Sequence, residues 1–396
     1  MNHTTVRIDS IVINNFKSTR FGEVVLSKGA KDYSANVLGL YGQNGSGKTA
    51  LIDAIALLKY ALTSTPIPVR YADYVNNDAE YANFMFELSV MDRKRSASYR
   101  VKYEFSLRKI PNENPGNTSE QSEEKEPYIA ELFNEVLSYS YESADQKFQM
   151  QKIVDTQENE IFGPKTKYDV LTGGDKSAKT DLLVARKLAA ITATSFVFSY
   201  KLIEVIRKNC QEEPHVLLFN ALTLYGNTCL FVIETRNSGI ISLNAQPFAF
   251  RVENEAGGMA GQMALPLDRP ADLNEENYSL TKKIVSNMNI VLMQLVPGLS
   301  IDIVDLGKQL SKKGNRLNRV ELVSLRNGKG IPLRYESEGI KKIISILQLL
   351  IVMYNNDTVT IAIDELDAGI FEYLLGELLR IISQKRKGQL IFTSHN

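Results

Sequence analysis

Apolar and polar residues alternate with a period of two through much of the first 155 positions, and a helical period takes over further along. Val6 to Phe16 alternates well enough for a strand, and Glu23 to Ser27 reads as a second. Asn36 to Tyr41 is short and largely apolar, as a buried strand should be, while Ala50 to Leu58 is a helix former that is apolar nearly all round. Ala82 to Val90 and Ser98 to Leu107 have strand composition, and the polar link Asp92 to Arg95 predicts a hairpin between them. Pro111 to Glu126, rich in Asn, Glu, Ser, Gly and Pro, is expected to be a loop. Strand-like runs resume at Ile129 to Tyr141 and Lys147 to Val154.

Beyond that layer, Asp181 to Lys208 reads as a helix with Asp181 as its N-cap, and Asn274 to Leu295 as a second, ended by Pro297-Gly298. Leu230 to Thr235, Ile240 to Phe250, Leu299 to Val304 and Arg319 to Leu325 read as strands, and no sustained heptads predict a coiled coil. A helix from Ile340 to Tyr354 precedes Val359 to Glu365, a buried strand that ends in two acids. Gly369 to Ser383 is helical again, and Gln389 to Thr393 is a final strand, after which the sequence stops, so a longer natural protein or a core without trailing elements is expected. Strands alternating with helices at both ends imply an α/β fold with a mixed, mostly parallel sheet, its antiparallel edge supplied by the first two strands. Four regions follow: 1–79 and 299–396 as two halves of one core, 80–155 as an antiparallel β-layer, and 156–298 as an inserted helical and mixed region.

Composition adds only limits. The chain has 396 residues, 44% of them apolar and 23% charged, and Lys+Arg and Asp+Glu each total 46, so no overall charge points to nucleic acid. Two cysteines, Cys210 and Cys229, without a C-x-x-C, indicate neither a disulfide framework nor a zinc site and fit a reducing cytoplasm. The first residues lack a signal-peptide plan, and no run of about eighteen apolar residues predicts a membrane span.

Between the first buried strand and its helix lies Gly42-Gln43-Asn44-Gly45-Ser46-Gly47-Lys48-Thr49, of the form G-x-x-x-x-G-K-[ST]. In a strand–loop–helix context this spacing is a phosphate loop. Its glycines let backbone N–H groups curl around one anion, and the helix start adds the positive end of its dipole. Lys48 is placed to reach the β- and γ-phosphates of a nucleoside triphosphate, and the Thr49 hydroxyl to ligate Mg²⁺. The strand ending in Asp364-Glu365 supplies what the other half of such a site needs: Asp364 for the Mg²⁺ shell and Glu365 to polarise the attacking water. Ser337-Glu338-Gly339 sits at a helix start 27 residues before Asp364, where a serine can cap the helix or meet an anion. His395, thirty residues after Glu365, ends the next strand.

The ordered set of phosphate loop, Ser-x-Gly at a helix start, strand-Asp-Glu, Leu366-Asp367 and strand-Ser-His resembles the ABC-type ATPase heads of the SMC, RecF and OLD proteins. Ile11 to Ser18 resembles their "I-x-N-F-[KR]-S" opening, and the likeness covers about residues 1–60 and 330–396. It implies two copies sandwiching two ATP molecules, with Ser337 and Gly339 touching the partner's γ-phosphate, Asp367 in the D-loop and His395 as the switch histidine. Glu336-Ser337-Glu338-Gly339-Ile340 keeps only the serine and second glycine of L-S-G-G-Q, and no Q-loop glutamine stands out.

Asp364 to Glu372 is similar to the AAA-15/AAA-21 group of stand-alone bacterial ATPases. That resemblance implies the sensor ATPase of an anti-phage defence system, with a separate effector, often a nuclease, and a nucleic acid or phage protein as trigger. Two alternatives stay open, a DNA-repair ATPase clamping duplex DNA and a scaffold that needs only bound ATP. Basic clusters at Lys308, Lys312, Lys313, Arg316, Arg319 and at Arg93, Lys94, Arg95, Arg100, Lys102 are candidates for a polyanion contact or plain solvated surface. Asp302 and Asp305 lack the D-x-D spacing of a Toprim nuclease.

Overall fold

The computed structural model describes residues 4–27, 36–43, 45–112, 128–234, 245–254, 257–266, 269–310, 314, 316–326, 328–368, 370, 372–384 and 387–394. The chain begins β1 (Thr4–Phe16), β2 (Thr19–Val25), β3 (Val37–Tyr41) and α1 (Lys48–Leu62), and continues through β4 (Ala82–Asp92), β5 (Ala97–Pro111), β6 (Tyr128–Glu142) and β7 (Lys147–Asp155). Helices α2 (Lys165–Thr172), α3 (Ser177–Ile191), α4 (Tyr200–Asn209) and α5 (Glu213–Thr228) lead to β8 (Leu230–Ile233). Next come β9 (Ala245–Asn254), β10 (Gly257–Pro266), β11 (Ala271–Leu273), α6 (Glu275–Leu295), β12 (Leu299–Leu310), β13 (Arg316–Arg326) and β14 (Lys329–Pro332). The chain closes with α7 (Glu338–Asn355), β15 (Thr360–Ile363), α8 (Glu372–Gln384) and β16 (Gln389–Ser394).

Two sheets position the site. A wholly parallel sheet has the order β3-β16-β15-β8, and a six-stranded antiparallel sheet has the order β2-β1-β4-β5-β6-β7. Alternation along the parallel strands divides the core. Leu230, Ala362 and Ile391 join the cluster around α1, while Phe231, Ile361, Ile363, Leu390 and Phe392 join a second cluster with α6 and α7. A strand covered on both faces must be apolar throughout, which is why these runs show no alternation in sequence. Helix α1 buries eleven of its fifteen residues, and each large aliphatic among them contributes about 2 kcal/mol of burial. It crosses α5 closely at Gly226, where a Cβ would come within 2.7 Å of Leu62 Cβ.

The antiparallel sheet is tied to the parallel one by side chains. Gln389 of β16 accepts from Ile8 N at 2.9 Å and donates to Ile8 O at 2.8 Å, and Thr358 Oγ1 accepts from Val6 N at 3.0 Å. These bonds satisfy β1 backbone groups that turn towards the core rather than towards a neighbouring strand.

Several expectations change. Strands β1 and β2 do not edge the parallel sheet; β1 pairs with β4 from Thr4↔Asp92 to Asn14↔Asn83. The alternation of Val6, Ile8, Ile11 and Ile13 suits a sheet with one face covered, whereas β3, without it, suits the parallel sheet. The helix expected over 181–208 is two helices broken at 192–199, and Asp181 lies inside α3 rather than capping it; Asp175 Oδ1 accepts from Ser177 N at 2.8 Å at the true start. Helices α2 and α5 have no counterpart in the sequence reading. Leu230 to Ile233, from the middle of the chain, forms the edge of the parallel sheet. Most of the loop expected at 111–126 lies outside the described residues.

Candidate functional site

The phosphate loop joins the carboxyl end of β3 to α1. Gly42, Gly45 and Gly47 have φ of +150°, +83° and +89°, a region that glycine occupies without strain. Gly47 has a second reason to lack a side chain, since a Cβ would stand 2.6 Å from Thr19 Oγ1. Ser46 N donates to Gln43 O at 3.3 Å, and Ser18 Oγ donates to Gly45 O at 2.9 Å, so the β1–β2 turn braces the loop from one side. Lys48 folds back over the loop, donating to Gly42 O and, at 3.0 Å, to Gln43 O.

The loop faces a cleft of about 260 Å³ lined by Lys17, Ser18, Gly45 to Ala50, Glu365 and Thr393. Thr49 Oγ1 approaches Asp364 Oδ1 at 3.3 Å across a sequence separation of 315. Asp364 is 5% exposed at the end of β15, and Thr393 Oγ1 donates to the same carboxylate oxygen at 2.7 Å. Thr393 also accepts from Glu365 N at 2.7 Å, and its carbonyl accepts from Leu366 N at 2.9 Å. Glu365 adopts φ of +49°, an uncommon conformation for a residue with a side chain, held by these bonds. An oxygen-only donor set of one hydroxyl and one carboxylate suits Mg²⁺, which takes one or two carboxylates and completes its shell with water and phosphate. Among the described residues, no group of three or more His, Cys, Asp or Glu forms a cage for a metal.

Charge behind the loop is balanced locally. Lys17, at the β1–β2 turn with φ of +51°, pairs with Asp53 of α1 and lies 4.2 Å from the centre of the Tyr74 ring. Burial pushes the Asp53 carboxyl above its usual range, and the Lys17 ammonium opposes the shift. Glu234, directly after β8, is held by Arg70 at 2.8 Å and by Tyr71 OH at 3.0 Å. Asp364 N donates to Ile233 O at 2.9 Å, so β8 sets the level at which β15 ends.

Ser337 is exposed at the tip of α7 and caps it, accepting from Ile340 N at 3.3 Å; Gly339 is in the first turn. Neither lines the loop cleft. Glu336, buried before the cap, accepts from Ser324 Oγ at 2.8 Å and from Arg326 at 3.0 and 3.1 Å, which fixes the helix entry. Asp367 lies in the turn after Glu365, where Ile370 N donates to Asp367 O at 3.0 Å. Asn44 and His395 lie outside the described residues.

Three site residues went unread in the sequence, Thr393, Glu234 and Lys342, and Lys17 was read only as part of the Ile11 to Ser18 opening, with no role. Glu234 carried a signal, because Leu230 to Glu234 repeats the pattern of Thr360 to Asp364, an apolar strand ending in an acid. Lys342 had none; it donates from α7 to Glu365 O and Ala368 O, both at 2.7 Å. Of the basic clusters, Arg93 pairs with Asp357, Arg95 with Asp92 and Glu213, and Lys102 with Glu104. Lys308, Arg316 and Arg319 are exposed on β12 and β13, whereas Lys312 and Lys313 lie outside the described residues.

The fold is similar to an SMC head bound to the C-winged helix domain of ScpA (12% identity, 98% of this chain and 89% of that one, TM-score 0.42). It is similar also to the ATP-bound recombination mediator RecF (14% identity, 99% and 94%, TM-score 0.37) and to the SMC head domain from Thermotoga maritima (14%, 98% and 89%, TM-score 0.38). No curated protein matches the chain. Residues 10–204 match the family model AAA_23, an AAA domain; the glycine-rich loop and most of the six-stranded sheet lie inside that match, while Ser337 and Asp364-Glu365 lie beyond it.

Proposed function

We propose that this chain is an ATPase of the ABC-type head class, which binds ATP with Mg²⁺ in the loop cleft, hydrolyses it, and is completed by a second copy. The observation that carries the reading is the meeting of Thr49, Asp364, Thr393 and Glu365 at one cleft wall. Bound Mg²⁺ would supply charge neutralisation between the β- and γ-phosphates, with Thr49 and Asp364 holding it. The loop N–H groups of Gly45, Gly47 and Lys48 bind phosphate, and the Lys48 ammonium, now on Gly42 O and Gln43 O, swings to the anion. Glu365, half-buried at the cleft, orients water for attack, its backbone held by Thr393. In this reading Ser337 and Gly339 act on the nucleotide of the second copy, Asp367 belongs to the turn between copies, and His395 acts as the switch.

An exposed Ser337 outside the cleft of its own chain fits that arrangement, as do the exposed rings of Tyr41, directly before the loop, Tyr335, two residues before the serine, and Tyr373 on α8. The biological role we favour is a sensor ATPase of prokaryotic defence that holds or releases a separate effector, and it rests on the likeness of Asp364 to Glu372 to the stand-alone bacterial group. The test is ATP turnover with and without Mg²⁺ in the wild type, Lys48→Ala and Glu365→Gln, with sizing of each in ATP. Lys48→Ala should lose binding, and Glu365→Gln should bind ATP, accumulate as dimer and lose turnover by about 100-fold or more. Full turnover in Glu365→Gln would remove Glu365 from the water-orienting role, and ATP-dependent assembly with no turnover even in the wild type would leave only an ATP-dependent scaffold. Strong stimulation by DNA ends with no co-purifying effector would overturn the defence role.

A further inference from the structure

The turn that carries Glu365 is gripped from two sides. On one side is Thr393, through its hydroxyl and its carbonyl. On the other is Lys342, whose ammonium donates to the carbonyls of Glu365 and Ala368, the two ends of a turn closed by Ala368 N donating to Glu365 O at 3.1 Å. Three hydrogen bonds, one given by Glu365 N to Thr393 and two accepted by Glu365 O, over-determine a conformation at φ of +49° that otherwise costs a non-glycine residue about 1 kcal/mol or more.

Lys342 is not a surface lysine resting there by chance. It is half-buried, and burial pulls its pKa below the usual lysine value while Asp367, Glu365 and Asp364 pull it back. Its carrier is the helix capped by Ser337, five residues earlier, so about 7.5 Å of helix rise separates the exposed tip from the Lys342 backbone. Neither ordinary helix-surface pairing nor core packing explains an ammonium aimed at two backbone carbonyls; the neighbouring Lys341 takes the ordinary course and pairs with Glu338 at 2.7 Å.

We propose that Lys342 is a positioning residue for Glu365: it fixes the left-handed turn that aims the carboxylate into the cleft and links that aim to the Ser337 helix tip. A displacement of α7 by the second copy would then move the Glu365 backbone directly. This rests on the hydrolytic reading of the cleft.

Lys342→Met keeps the apolar stem and removes the donor, and Lys342→Arg restores donors. In full-length protein, Lys342→Met should lower kcat by about 10- to 100-fold, leave the affinity for ATP within about twofold and leave Tm near wild type. Lys342→Arg should recover most of the loss, and in Glu365→Gln the added Lys342→Met should change residual turnover little, since the group it aims is already gone. Amide hydrogen exchange at Leu366 and Ala368 should quicken in Lys342→Met alone. Equal kcat in wild type and Lys342→Met, a loss confined to KM, or unchanged exchange at 364–368 would overturn the proposal and spare the reading beneath it. A wild type without Lys48-dependent turnover would overturn that reading and the positioning role with it.

Discussion

Glu135 and Asp364 are both carboxylates buried in the fold, at 2% and 5% exposure, yet their surroundings differ in kind. Glu135 lies on β6 beside a register shift, next to Asn134 at φ of +52°, and the bulge turns it inward. Tyr103 OH at 2.7 Å, Ser195 Oγ and Phe196 N at 2.8 Å all donate to it, so it stitches the segment 195–198 to the antiparallel sheet. Burial raises its pKa and these donors oppose the rise. Asp364 instead takes hydroxyls from Thr49 and Thr393, and both of those residues line a cleft. A buried acid whose donors all come from the core is architecture; one whose donors border solvent-filled space is placed for chemistry.

Substitution should separate the two most sharply. Asp364→Asn should cut Mg²⁺-dependent turnover by about 100-fold or more with little change in Tm, while Glu135→Ala should cost about 2–4 kcal/mol by stranding three donors. Turnover per folded molecule should stay near wild type in Glu135→Ala. Thermal melts alongside single-turnover assays check both, and the contrast fails if Glu135→Ala silences folded protein. Thr393→Val comes next, removing the hydroxyl shared by Asp364 and Glu365; a fall of about tenfold in kcat with about 1 kcal/mol of stability is expected. A loss of stability with kcat intact would move Thr393 to the architectural side.

The effect least tied to the cleft is a pH dependence in the antiparallel half. His215 is fully buried, bonded through Nδ1 to Tyr139 OH, with Nε2 2.9 Å from a Glu212 carboxylate oxygen but not hydrogen-bonded to it, and burial lowers its pKa to about 4. A base depressed in the folded state stabilises fully above its unfolded pKa, and that stability drains as pH falls from about 6.5 towards 4. Denaturant melts between pH 7.5 and 4 should show a loss of about 1–3 kcal/mol in the wild type, and His215→Gln should flatten that slope.

How much of this was legible in the chain depends on distance along it. Gly42 to Thr49 and Val359 to Glu365 announce themselves because strand, turn chemistry and acid lie within a few consecutive residues. The Ser337 cap is similarly local. Lys342, Thr393 and Lys17 are ordinary residues in ordinary elements, and their meaning comes from contacts made across tens of positions. The same limit explains β1 and β2: alternation reveals a sheet with one covered face without saying which strand will be its neighbour. The break at 192–199 was invisible because it holds no Gly or Pro to mark it, and its apolar run Phe196 to Phe198 is buried like the apolar positions of the helices on either side.

The edge strand β8 sets a practical limit on trimming this protein. A minimal version of the core would splice residues 1–79 directly to 299–396. Doing so would strip the partner from Thr360 to Ile363, leaving four buried residues with bare amides and carbonyls along one side. Such a raw margin invites another chain to pair there, so the shortened protein should clump before it could be assayed.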